Sequence, residues 1–226
     1  VNSIPLSRVV DRLQGHYGKL MSYKLTGPWE MILWENVVYL ADDDRREQAF
    51  KLLKKKIGTK PEQVFSASDH ALLEVTRHGI MPEQFAEKLR KCAKIVLEDF
   101  DGDLRPVLKW SLPNAKKALQ KFPGIGEPGA EKILVFTRSQ PLFALESNGL
   151  RVLVRLGFAE EQKNYATTYR LVQKAVKGEL DRDFTWLMQA HQLLRRHGHE
   201  LCKRTNPACE ECPLAKDCCF NLAGSR

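Results

Sequence analysis

Near the C-terminus the chain reads Cys202-Lys-Arg-Thr-Asn-Pro-Ala-Cys209-Glu-Glu-Cys212-Pro-Leu-Ala-Lys-Asp-Cys218. Four thiols spaced C-x6-C-x2-C-x5-C on so short a segment point to a wrapped metal centre. Thiolates ligate both iron–sulfur clusters and tetrahedral zinc. The competing reading is a disulfide knot, the staple of small secreted chains. The rest of the sequence does not look secreted. Its N-terminus lacks a charged-then-apolar signal pattern, and no apolar run is long enough to span a bilayer. Six cysteines with four crowded into one loop therefore suit a reducing, intracellular compartment. Cys219 is a spare thiol beside Cys218.

With 226 residues the chain can bury a real core in one domain or two small ones. Its formal charge of +8 suits a polyanionic partner, nucleic acid above all. The periodicity is almost wholly helical. Residues 5–21 place Val9, Val10, Leu13 and Tyr17 near one face. Asp42-Asp43-Asp44 opens a helix where carboxylates meet the positive end of the dipole, and Gly58 follows the basic run Lys54-Lys55-Lys56 as a stop. Residues 61–78 and 82–99 read as two helices, each with Pro in its first turn. In the second, Phe85, Leu89, Cys92, Val96 and Leu97 form one apolar stripe, which makes Cys92 a core residue. Further helices are expected at 147–157, 162–177 and 183–197, the last ending at Gly198. Val37-Val38-Tyr39 has strand character but no neighbour to pair with. The fold class is all-α with a metal-stapled C-terminal loop.

A basic helix at 113–121 is followed by Phe122-Pro123-Gly124-Ile125-Gly126 and by a second helix from Pro128 to Thr137. Gly124 and Gly126 permit backbone angles closed to other residues and let the chain approach another surface closely. Their N–H groups and the start of the next helix make a concavity suited to phosphate. Lys116, Lys117 and Lys121 add positive charge. A plain helix–helix connection needing two glycines explains the turn equally well.

This unit resembles the helix-hairpin-helix of the endonuclease III superfamily of DNA glycosylases, whose hairpin reads Leu-Pro-Gly-Val/Ile-Gly. The order of further landmarks is similar: Ala144-Leu145-Glu146-Ser147-Asn148-Gly149-Leu150-Arg151-Val152, then His197-Gly198, then the cysteines. The resemblance implies a [4Fe-4S] cluster on Cys202, Cys209, Cys212 and Cys218. It implies two helical lobes, 30–138 carrying the hairpin and 1–29 with 139–226 carrying the cluster, and duplex DNA in the cleft between them. It further implies a monomer, no membrane, and a monovalent cation held by hairpin carbonyls from Pro123 to Gly126. The expected activity is base excision from a flipped nucleotide.

Three departures shape that expectation. The family's catalytic Asp is matched by Glu146, which keeps the charge but adds about 1.5 Å of reach. Helix capping is the plainer role for a Glu at a helix start. Bifunctional relatives carry a nucleophilic lysine where this chain has Pro128, and Lys132 lies a turn further on, so lysine-dependent strand cleavage is not expected. Relatives also place a glutamine-containing wedge where this chain reads Tyr39-Leu40-Ala41-Asp42, leaving Tyr39 or Leu40 to fill the gap left by the base. Asn148 resembles the Asn of the adenine-excising branch. The expected function is a monofunctional DNA glycosylase with Glu146 catalytic; the alternative is a catalytically weakened, damage-sensing DNA binder. His197 and His199 read as helix-end caps, and His191 as a packing residue.

Overall fold

The protein is described by a computed structural model, which defines residues 4–20, 25, 27–38 and 41–224. Tyr39 and Leu40 lie outside the described residues. Among those described, every regular element is an α-helix or a short 3₁₀ turn. The chain divides into two compact units, Val1–Tyr23 with Pro141–Arg226, and Lys24–Gln140.

The Lys24–Gln140 unit contains α2 (Pro28–Asn36), α3 (Asp43–Lys56), α4 (Pro61–Ser66), α5 (Asp69–Thr76), α6 (Pro82–Asp99), a 3₁₀ turn at Arg105–Lys109, α7 (Leu112–Leu119) and α8 (Glu127–Phe136). Helix α6 is its spine and packs against α2, α4 and α5. Phe85, Leu89, Cys92 and Val96 recur at helical spacing and are buried, while Leu97 is half-buried at the edge of the stripe. Asp42 caps α3 by accepting from the Arg45 N–H at 2.8 Å. Gly58 ends that helix with φ of 96°, its N–H donating to Leu53 O at 2.9 Å. The single helix expected over 61–78 is two. Ala67 is extended, and the Ser68 hydroxyl accepts from the Ala71 N–H, so the chain restarts with a new cap.

The other unit contains α1 (Leu6–Tyr17), α9 (Ser147–Arg155), α10 (Tyr165–Val176), α11 (Phe184–Glu200), the cysteine loop with 3₁₀ turns at Cys209–Glu211 and Ala215–Asp217, and α12 (Cys219–Gly224). Helix α11 packs against both α9 and α1. Leu6, Val9, Val10 and Leu13 give α1 its buried face. The Gln189 side chain grips the Leu20 backbone at both its N–H and its carbonyl. Arg12 of α1 pairs with Asp217 of the cysteine loop.

Helix α11 does not end at Gly198 but continues to Glu200. Gly198 is there for space. A Cβ on it would lie 2.5 Å from Asn148 O, so only glycine lets α9 and α11 cross this closely.

Candidate active site and metal centre

In the hairpin, Gly124 has φ of 76°, which favours glycine, and a Cβ there would sit 3.1 Å from Asn36 Oδ1. Asn36 is buried at the end of α2 and donates from Nδ2 to Ile32 O at 3.1 Å. Its place under the turn had no signal in the sequence. Ile125 is buried, and its N–H closes the turn onto Phe122 O at 3.1 Å. Gly124 and Gly126 are exposed, and their N–H groups have no acceptor among the described residues. Pro123 is half-buried at the head of the turn. What the turn presents outward is therefore backbone, not side chain.

The three lysines differ. Lys116 is held between Glu127 and Glu131 at 2.5 and 2.7 Å, which makes it a strut joining α7 to α8. Burial alone would lower its pKa, but the two carboxylates overcome this and raise it. Lys121 pairs with Asp99 at 2.8 Å and lies over the Phe100 ring. Lys117 is exposed with no ion pair among the described residues. Pro128 occupies the first turn of α8. Lys132, the one lysine of α8, is buried and donates to Glu35 Oε1 at 2.6 Å.

In the other unit, Glu146 is the N-cap of α9. Its Oε1 accepts from the Gly149 N–H at 2.7 Å and its Oε2 from Asn148 Nδ2 at 2.9 Å. A carboxylate so bonded at a helix N-terminus is favoured in its charged form. Burial, then the Glu146 charge, push the Tyr165 hydroxyl up to about 12. Asn148 is in turn held by Arg151 Nη2 at 2.8 Å, and Arg151 also donates to Cys202 O at 2.9 Å and Gly198 O at 2.7 Å. An unbroken chain of hydrogen bonds thus runs from Glu146 to the cysteine loop. The sequence reading missed Arg151, although its spacing of i+3 from Asn148 on a helix offered a signal.

Cys202, Cys209, Cys212 and Cys218 line one cavity with an empty volume of about 290 Å³. Among the described residues no three His, Cys, Asp or Glu side chains converge on a single-ion site. Thiols that ring a cavity without pinching to one point fit a multi-iron cluster better than one zinc ion. The surroundings fit too, because cluster thiolates are bonded by N–H donors. Arg155 Nη1 lies 3.3 Å from Cys202 Sγ, and the Leu214 N–H lies 3.4 Å from Cys212 Sγ. Cys219 faces Leu156 O at 3.4 Å and does not line the cavity. Arg155 also binds the carbonyls of Lys203 and Arg204, whose side chains stay exposed.

His197 is no surface cap. It is buried, with Nδ1 3.0 Å from the Tyr17 hydroxyl and Nε2 3.4 Å from Cys212 Sγ. His199, by contrast, is exposed at the end of α11. His191 is a packing residue, buried and bonded through Nδ1 to Ala144 O at 2.9 Å.

A family profile described as the iron-sulfur binding domain of endonuclease III matches residues 202–218. The endonuclease III of Thermotoga maritima is 25% identical over 88% of this chain and 86% of its own length. That of Rickettsia conorii is 27% identical over 72% and 71%. A trapped endonuclease III–DNA covalent intermediate superposes with a TM-score of 0.76 over 99% of this chain and all of its own, at 18% identity. A thermostable thymine-DNA glycosylase gives the same TM-score over 96% and 97%, at 15% identity.

Proposed function

We propose that this endonuclease III-like helix-hairpin-helix chain, with its C-terminal iron–sulfur loop, is a base-excision DNA N-glycosylase working without a lysine nucleophile. The observation that carries the reading is the double hold on Glu146, by the Gly149 N–H and Asn148 Nδ2. Cleavage of an N-glycosidic bond builds positive charge on the sugar as the base departs with the bonding electrons. A fixed carboxylate stabilises that charge at little reorganisation cost. Water then completes the substitution at the anomeric carbon, leaving a free base and an abasic sugar. Pro128 has no amine, and the Lys132 amine is buried against Glu35, which supports hydrolysis over Schiff-base chemistry.

The partner of the hairpin in this reading is duplex DNA, with phosphate on the Gly124 and Gly126 N–H groups and Lys117 beside them. The carbonyls from Pro123 to Gly126 are the seat for a monovalent cation. The iron–sulfur cluster supplies a rigid brace for its loop when bound. Among the described residues no helix is long and apolar enough to cross a membrane. The acting species is a monomer in a reducing compartment.

A second reading is favoured by the same contacts. Both oxygens of Glu146 are engaged by the chain's own donors, as they would be in a purely structural cap. The protein would then be a DNA-binding, damage-sensing relative. Borohydride trapping and base release, assayed on the same damaged duplexes, separate the readings. Release without trapping supports the hydrolase. A trapped adduct contradicts the lysine-free mechanism, and binding without release supports the sensor.

A further inference from the structure

The contact between His197 and Cys212 plays no part in the excision chemistry, yet it reaches the cluster loop. His197 is 1% exposed, and its two ring nitrogens face different partners, Tyr17 at 3.0 Å and Cys212 Sγ at 3.4 Å. Each contact fixes the other. A ligating thiolate has no hydrogen to give, so Nε2 must carry the proton for that approach to be favourable. Nδ1 of the neutral ring is then a bare acceptor, and the Tyr17 hydroxyl is the donor it faces. The opposite tautomer would turn two lone pairs, on nitrogen and on sulfur, toward each other. Tyr17 is itself held, with the Arg196 guanidinium 4.9 Å over its ring. The Leu214 N–H already bonds the same sulfur, so Cys212 carries two donors.

We infer that His197 tunes the cluster as an N–H···S donor to the Cys212 thiolate and that Tyr17 holds it in the donating tautomer. The potential of the cluster thereby depends on a residue of the N-terminal helix. The inference rests on the iron–sulfur reading of the four cysteines. An N–H···S bond withdraws electron density from the thiolate and favours the more reduced, more negative cluster. Losing it moves the midpoint potential negative.

Iron and sulfide analysis of the purified wild-type chain comes first, and absence of both overturns the cluster reading together with this proposal. In the loaded protein, spectroelectrochemistry and pulsed EPR in H₂O and D₂O compare wild type with His197→Phe, His197→Gln and Tyr17→Phe at matched iron content. Wild type shows a coupled exchangeable proton that His197→Phe lacks. In that variant the oxidised-to-reduced ratio at the wild-type midpoint rises about tenfold, or ~59 mV for a one-electron couple. His197→Gln, which still offers an amide N–H, recovers part of the shift. Tyr17→Phe keeps the proton and shifts less. Loaded His197→Phe with unchanged potential and coupling overturns the proposal. Should it fail to hold a cluster, Tyr17→Phe decides: a negative shift supports the proposal, and an unchanged potential overturns it.

Discussion

Asn148 and Arg151 meet at 2.8 Å, with Arg151 Nη2 donating to Asn148 Oδ1. On one side Asn148 holds Glu146, and on the other Arg151 holds the carbonyls of Cys202 and Gly198. The orientation of the carboxylate is thus set by the cysteine loop as well as by its own helix.

Arg151→Met removes that link while keeping an apolar stem of similar length. Displacements of about 1 Å at a reacting group cost up to a hundredfold in rate. Single-turnover base release should fall by about ten- to a hundredfold, with duplex affinity little changed. Visible absorbance of the cluster should persist and serves as the control for folding.

Gly198→Ala drives a Cβ to 2.5 Å from the Asn148 carbonyl, which belongs to backbone and cannot step aside. A loss of about 1–3 kcal/mol is expected, read as a lowered melting temperature. Gly15→Ala is the counter-case. That glycine lies within α1 with nothing within 4 Å of the added atom, and the change should stabilise by about 0.5–1 kcal/mol.

Much of this was legible in the sequence. The α6 stripe is local, repeating every three or four residues, so periodicity alone finds it. The hairpin and the cysteine loop are compact motifs whose meaning lies in their spacing. What escaped was long-range. Gly198 reads as a helix stop in one dimension but is a crossing point in three. His197 reads as a helix-end cap because its partners, Tyr17 and Cys212, are remote in sequence or on another element. Arg151 and Asn36 carry no motif, and their roles arise only once the helices are packed. Lys116 shows the same limit: a basic residue beside a phosphate-shaped turn proves to be tied between two glutamates.

The two hairpin glycines should respond differently to alanine. Gly124 has a positive φ and Asn36 at its back, so Gly124→Ala should cost about 1 kcal/mol or more and weaken duplex binding. At Gly126 the backbone is extended and the nearest atom to an added Cβ is 3.8 Å away, so stability should hold. Thermal melts and salt-dependent duplex titrations of the two variants check this, with loss of affinity in both if the phosphate approaches both amides.

Cys92 is fully buried, and burial pushes its thiol up to about 12 from the ordinary 9. The unfolded chain therefore loses this proton near pH 9 while the folded chain keeps it. Its contribution to stability is complete below pH 9 and is lost as pH rises toward 12. The span of about three pH units corresponds to an upper bound on the order of 4 kcal/mol. Melting temperatures of wild type should fall more steeply from pH 9 to 11 than those of Cys92→Ala. In native protein Cys92 should also resist alkylation.

The account stands or falls on Glu146. Mass-spectrometric detection of bases released from a broad panel of damaged and mismatched duplexes, for wild type and for Glu146→Gln, tests it most directly. Glutamine keeps an acceptor for the Gly149 N–H, so the helix cap survives while the charge goes. Wild type should release at least one base, and Glu146→Gln should do so about 10²–10³-fold more slowly with duplex binding retained. Equal release by both proteins, or duplex binding by wild type without release of any base, would contradict a catalytic Glu146.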